Sequence, residues 1–380
     1  MRVPLLDLKE QYDRIQGEVE EVVFGVLKSG HYILGEHVRL LEEEVASYSG
    51  TTHAIGVASG TDALRLSLLG LGIKPGDEVI TTPFTFIATT QVISQIGAVP
   101  VLVDVEPDTL NIDASKIEKA ITSKTRAILP VHIFGHPSDM PAILELARRH
   151  NLVVIEDAAQ SFGAECRMSL PGDSAPCWHK TGSMGHAGCF SFFPTKNLGG
   201  FGDGGMILTN DESLAEKLRS LRVHGSNSNT SGYDALGYNS RLDELQAAIL
   251  RIKLKYVDTW IKLRRKRARE YEKALSQVPQ IHFLAVRTYA RHSYCVLTVQ
   301  AEQRDSLRQF LASQDIGTKI YYPTPVHMQV IYRNGNVRRS DLPVVENACR
   351  QVLSLPIYPE LETEKIHYIT ETITRFFSGQ

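Results

Sequence analysis

The sequence predicts an α/β fold: a mostly parallel central sheet with helices on both faces, followed by a smaller C-terminal α+β domain. Two observations carry this. Between residues 50 and 210, short β-branched runs alternate with stretches of helical spacing, the pattern of βαβ units whose parallel sheet is covered on both sides. From about Asp243 the alternation gives way to one long helical pattern reaching roughly Leu275, and then to a shorter mixed segment. A chain of 380 residues is long enough for a large core and a second domain. The expected boundaries are 1–250 for the large domain with its N-terminal arm, and 251–380 for the small one, with the long helix as the joint.

The expected strands are His53–Ala58, Glu78–Thr82, Val99–Val105, Ala127–Ile133, Leu152–Glu156, Gly188–Phe193 and Gly205–Thr209. Between the first two, Leu64, Leu68 and Leu71 share one face of a helix over Thr61–Leu71. In the long helix, Leu250, Leu254, Val257 and Ile261 keep helical spacing. The small domain reads as a strand at Tyr294–Val299, a helix at Glu302–Ser313, a strand near Thr318–Tyr322 and two late helices. Met168–His179 is rich in Pro, Gly and Ser and reads as a surface loop. In a sheet of this kind ligands bind at the carboxyl ends of the strands, so the loops after Ala58, Glu156 and Phe193 share one functional edge.

Each of those loops carries a chemical signal. Ser59-Gly60-Thr61-Asp62 follows a strand and opens a helix; the unpaired amides and positive dipole end there suit a phosphate, and Gly60 lets the backbone approach closely. An ordinary N-cap explains the same string. Asp157 stands at the tip of an apolar strand, where a partly buried carboxylate needs a cation, although it equally suits an N-cap. Lys196 follows the run Cys189–Phe193 and Pro194 and precedes a glycine-rich stretch. A lysine at the lip of a pocket is open to desolvation, which lowers its pKa and frees the amine to attack carbonyls. Phe84-Thr85-Phe86 offers a ring to stack on a flat ligand. Tyr238–Gln246 opens the long helix; Asn239 or Ser240 capping it explains most of that string, and its exposed polar end also suits a contact with a neighbouring subunit.

Composition narrows the partners. With 43% hydrophobic and 22% charged residues and a formal net charge of -2, nothing in the bulk argues for nucleic acid or membrane. Five scattered cysteines fit a reducing cytosol better than a disulfide framework. The N-terminus carries charge too early for a signal peptide, and no apolar run is long enough to span a bilayer, so a cytoplasmic protein is expected. Gly200–Gly205 imitates a dinucleotide loop but precedes a strand rather than a helix. The basic run Lys262–Arg269 is broken by Leu263 and Ala268 and reads as a solvated helix face. Cys166, Cys177 and His179 show no recognised zinc spacing, and no metal is expected.

Taken together, phosphate turn, aromatic, acid and lysine occur in the order of a pyridoxal 5′-phosphate (PLP) site. The set resembles the sugar aminotransferases of the DegT/DnrJ/EryC1/StrS family, a branch of the fold type I PLP enzymes. The resemblance runs from SGHYILG (29–35) through SGTDAL, GDEVITTPFTFIAT, EDAAQSFGA, FSFFPTKNLGGFGDGG and YNSRLDELQAAIL to IYYPTPVH (320–327). It implies that Lys196 is the Schiff-base lysine and the proton shuttle, and that Asp157 partners the pyridinium. Gln160 then sits beside the ring hydroxyl and Phe86 stacks on the ring. Gly60, Thr61 and Ser191 contact the phosphate, and Asn239 contacts the phosphate of the other subunit in a homodimer. Tyr321, Tyr322 and His327 fall in a substrate-facing segment; many relatives carry His where Tyr321 stands. The implied partners are L-glutamate and a keto-sugar linked to UDP or dTDP. The DGG string after the lysine resembles enzymes that aminate C3, whereas C4-acting relatives often show a Thr-Thr-Gly-Glu-Gly-Gly-like string. A sugar dehydratase on this fold replaces the lysine with His, and a non-catalytic regulator has no need of the intact Lys196, Asp157, Gln160 and Thr61.

Overall fold

Seven strands and a short edge strand build the central sheet of the computed structural model, which describes residues 1–227, 232–333, 335 and 337–379. Strand β1 is His53–Val57, β2 Glu78–Thr81, β3 Val99–Leu102, β4 Thr125–Ile128 and β5 Val153–Asp157. A hairpin of β6 (Glu165–Met168) and β7 (Cys177–Lys180) precedes β8 (Ala187–Ser191) and β9 (Gly205–Thr209). The sheet order is β1-β9-β8-β5-β4-β2-β3, with Arg338–Arg339 pairing parallel on the outer edge of β3. Neighbours are parallel except around β9, which runs antiparallel to both β1 and β8. The strands are apolar on both sides because both sides are covered: Val79, Ala127 and Ile155 enter one buried cluster, Ile80, Ile128 and Val154 another. Every expected strand of this sheet is present, with ends shifted by a few residues.

Three expectations change. The helical pattern after Asp243 is two helices, Glu244–Leu254 and Val257–Ala274, broken at Lys255-Tyr256. The first lays Ala247 and Leu250 on the large-sheet side; the second starts on that same side with Val257 and Ile261 and then carries Ala268 and Tyr271 into the core of the small sheet. Asp243, not Asn239 or Ser240, is the N-cap residue. The strand near 318–322 shrinks to a single bridge between Lys319 and Ser354, because the chain leaves the sheet edge and carries Tyr322 to Gln160. The stretch 168–179 is the end of the β6–β7 hairpin rather than a plain loop; Trp178 on β7 lies under the Arg291 guanidinium, 4.0 Å from its centre.

The small sheet pairs Ile281–Phe283, Leu297–Ala301 and Val352–Leu355, all antiparallel. The helices Arg304–Ser313 and Thr363–Ser378 close its core through Leu307, Leu311, Ile366, Ile369 and Ile373. The chain crosses between the two packing units in both directions. Val3 is buried in the small core and bridges to Ile316, whereas Val326, Leu342 and Val345 pack under the large sheet. No helix among the described residues is long and apolar enough to cross a membrane.

Candidate active site

A cleft of about 670 Å³ opens where β1, β5 and β8 end. Its wall includes Gly60, Thr61, Phe86, Asp157, Gln160, Ser191, Lys196, Tyr321 and Tyr322. Parallel strands deliver their following loops to one edge, and the segment after Lys319 brings Tyr321 and Tyr322 to the same place, so residues separated by up to 262 positions in the chain meet.

One end of the cleft is a helix N-terminus. Ser59 caps the helix Gly60–Gly70, its Oγ accepting the Asp62 N–H at 3.1 Å, and leaves Gly60 and Thr61 facing the cleft. Gly60 lies against the end of β8: a Cβ there would stand 2.7 Å from Cβ of Ser191. This is a close-packed notch of backbone donors with a serine on its far side, suited to a tetrahedral oxyanion.

The other end is an acid. The Asp157 carboxylate is buried; Oδ2 accepts Thr89 Oγ1–H at 2.8 Å and Oδ1 accepts the Ala159 N–H at 3.2 Å. Thr85 and Thr89 hydroxyls are 2.8 Å apart, so with Thr89 donating to the acid, Thr85 donates to Thr89. Burial pushes the Asp157 pKa up, opposed by those donors and by the charge of Lys196. The strand end is anchored from beneath. Buried Glu156 accepts N–H bonds from Gly182, Met184 and Gly185, and pairs with His132 Nε2 at 2.8 Å. His132 Nδ1 accepts the Ser138 N–H, which puts the ring proton on Nε2, donating to Glu156.

Gln160 is held from both sides. Its Oε1 accepts the Phe134 N–H at 2.7 Å and its Nε2 donates to the Tyr322 hydroxyl at 3.1 Å. Burial raises the Tyr322 pKa above the ordinary phenol range, with the charge of Asp157 adding to it. The phenol therefore stays protonated. The Phe86 ring, 58% exposed in the single chain, lies 6.5 Å from that of Tyr322.

Lys196 is half-buried at the lip, and its backbone N–H bonds to Phe193 O at 2.9 Å. Its loop is pinned from the helix Glu244–Leu254: Lys253 Nζ donates to Gly199 O, and Gln246 Oε1 accepts the Phe201 N–H at 2.8 Å. Burial pulls the Lys253 pKa down to about 8. Neither Lys253 nor Gln246 was expected, because a buried lysine on a helix looks like any surface lysine in sequence. Thr85 lies in the bend before the helix Ala88–Gln95 and Thr89 in its first turn, so no periodicity in the sequence marks them as a pair.

Two expected residues lie outside the cleft wall. Asn239 is exposed on this chain, while its neighbour Ser240 is buried, its Oγ donating to Asp62 Oδ2 at 2.9 Å and accepting the Ala58 N–H. His327 is buried beside Pro83 and pairs through Nε2 with Glu346 at 3.1 Å.

Comparison with known proteins places the chain among aminotransferases. Residues 13–374 match the DegT/DnrJ/EryC1/StrS aminotransferase family. A "pleiotropic regulatory protein" of Geobacillus stearothermophilus is 46% identical over 99% of both chains. The dTDP-3-amino-3,4,6-trideoxy-alpha-D-glucose transaminase of Streptomyces venezuelae is 45% identical over 95% of this chain and 92% of the relative. The crystal structure of S. venezuelae DesV in complex with a ketimine intermediate superimposes with a TM-score of 0.92 at 43% identity, covering 100% of this chain and 99% of that one.

Proposed function

Since the chain belongs to the DegT/DnrJ/EryC1/StrS aminotransferase family, we propose that it transfers an amino group from L-glutamate to the C3 keto group of a nucleotide-linked hexose. The enzyme is a PLP-dependent sugar aminotransferase. The observation that carries this reading is the convergence of Asp157 and Lys196 in one cleft with a helix N-terminus.

The residues present fit the cofactor. A fully buried carboxylate needs a cation or donor facing it, and a protonated pyridine nitrogen supplies one. The notch of Gly60, Thr61 and Ser191 suits a phosphate, and Phe86 offers a face to a flat ring. When bound, PLP supplies the carbonyl that takes up the amine and the electron sink that lets a neighbouring C–H ionise. Asp157, with Thr89 and the Ala159 N–H fixing its two oxygens, presents its charge in one orientation. Gln160, locked by Phe134 and Tyr322, keeps a second Nε2 N–H that would serve the cofactor's ring hydroxyl. Lys196 would hold the cofactor through Nζ, and the same amine would carry a proton within the cleft.

The C3 assignment rests on the Asn197–Gly205 string and on the name of the S. venezuelae relative, a 3-amino-sugar transaminase. The G. stearothermophilus relative is named a regulatory protein; a regulator without catalysis leaves the Thr85–Thr89–Asp157 chain without a purpose. The enzyme works as a homodimer in the cytoplasm. Exposed Asn239 and the half-exposed rings of Phe86 and Phe193 at the cleft mouth support a second copy there. Tyr321 and Tyr322 border the sugar.

The test is incubation of the PLP enzyme and glutamate with synthetic 3-keto and 4-keto sugars linked to dTDP or UDP, the new amine being located by NMR. Amination at C4 alone overturns the position; no amination of any of the four overturns the function.

A further inference from the structure

The β6–β7 hairpin carries a cluster that the transaminase chemistry does not use. Cys177 and His179 alternate on β7 and so project to one side of the strand. Asp173, in the loop before them, folds back over that side, its Oδ2 fixed by the Leu170 N–H at 2.6 Å. His179 Nε2 lies 2.7 Å from Asp173 Oδ2 and 3.1 Å from Cys177 Sγ, and the three donor atoms lie within 4.8 Å of one another. Among the described residues this is the one cluster of such side chains. None of the three lines the cleft.

We propose that Asp173, Cys177 and His179 bind one zinc ion that clips the tip of this hairpin. The donor set is sulfur, nitrogen and oxygen on three side chains. Sulfur and imidazole select zinc over magnesium or calcium, which prefer oxygen. Zinc bonds of about 2.3 Å to sulfur and about 2.0–2.2 Å to nitrogen or oxygen, at tetrahedral angles, set neighbouring donors about 3.4–3.6 Å apart. The observed separations, 2.7 and 3.1 Å, are shorter by about 0.5–0.7 Å, a spread that a hairpin tip accommodates. Without metal the same groups form a hydrogen-bonded triad, His179 Nε2–H donating to Asp173 Oδ2 while the Cys177 S–H is itself a weak donor. The Leu170 N–H supplies the outer contact that orients a ligating carboxylate. The fourth position is left to water, and binding releases the Cys177 thiol proton to solvent as the Zn–S bond forms.

Spacing alone set Cys177 and His179 aside; the missing ligand is Asp173, four residues upstream in an Asp-x3-Cys-x-His string.

The chain contains its own reporter. Cys177 is exposed and the other four cysteines are buried, so the fast thiol towards a disulfide reagent in the metal-stripped, PLP-loaded enzyme is Cys177. One equivalent of Zn²⁺ is expected to slow that reaction at least about tenfold, and His179→Gln and Asp173→Asn are expected to abolish the protection. Calorimetry is expected to give one zinc per chain, lost in Cys177→Ser. An unchanged thiol rate with zinc, or equal protection in His179→Gln, overturns the proposal, as does one-to-one binding that survives Cys177→Ser. Unaltered cofactor absorbance in each variant separates loss of the site from loss of the fold.

Discussion

Replacing Gly60 with alanine puts a methyl group in place of a hydrogen at the point where two elements nearly touch. The new Cβ would sit 2.7 Å from Cβ and 3.1 Å from Cα of Ser191, against about 3.4–4 Å for ordinary contact. The clash is with backbone and Cβ, not with the swinging end of a long side chain. Ser191 cannot retreat: it ends β8, which is paired to β9 on one side and β5 on the other. The start of the helix Gly60–Gly70 must therefore move by roughly 0.7 Å. Overpacking of this kind costs about 1–3 kcal/mol, and it falls on the donors grouped for the phosphate. If about 1.4–2.8 kcal/mol of it appears in binding, PLP affinity drops about 10- to 100-fold. Titration of the apoenzyme with PLP, followed by cofactor absorbance, measures this directly, and far-ultraviolet circular dichroism checks that the helix persists. Affinity within twofold of the unmodified protein would refute the placement of the phosphate at this notch.

Three further outcomes follow from the site and its surroundings. Lys196→Ala is expected to abolish turnover and to leave the cofactor extractable after borohydride treatment; measurable transfer from glutamate to a keto-sugar would remove Lys196 from its role. Asp157→Asn keeps the shape but loses the charge, so kcat is expected to fall at least about 100-fold with donor affinity little changed; near-normal turnover would show the acid to be elsewhere. Stability is expected to decline in acid through His136, which burial pulls from 6.5 to about 4. Its Nε2 accepts the Arg287 N–H and its Nδ1 donates to Pro137 O, so a second ring proton would face a donor. Between about pH 6.5 and 4 the unfolded chain binds the extra proton and the folded one does not. Stability is thus full above that window and falls by up to about 3 kcal/mol across it. Denaturant midpoints at a series of pH values, compared with His136→Asn, isolate the contribution; an unaltered acid slope in the variant would refute it.

Much of this was legible from residues. The sheet strands follow from local β-branched runs buried on both faces, a signal that needs no partner to read. The cleft residues are legible because turn chemistry at strand ends is local and parallel topology gathers those ends. What stayed hidden depends on distant contacts. The break at Lys255-Tyr256 is one such feature, since the helical spacing of apolar residues runs on through it and no local breaker residue marks it. Lys253 gives no sign in sequence that its amine points at Gly199 O. The β6–β7 pairing was masked by Pro171, Gly172 and Pro176, which occupy only the connecting turn.

The reversed direction of β9 has a consequence for how Lys196 meets its ligand. Because β8 arrives at the cleft edge and β9 departs from it, residues 192–204 begin and end at the same place. Phe192 N–H bonds across to Gly204 O at 2.8 Å, closing that stretch at its neck, and Lys253 and Gln246 fasten its middle. The lysine is thus a tethered tool on a short leash. Its loop entropy was surrendered when the chain folded, so docking the cofactor demands little further ordering of the backbone. Loosening the tether at Gln246 would therefore weaken cofactor capture without touching a single atom of the cleft wall.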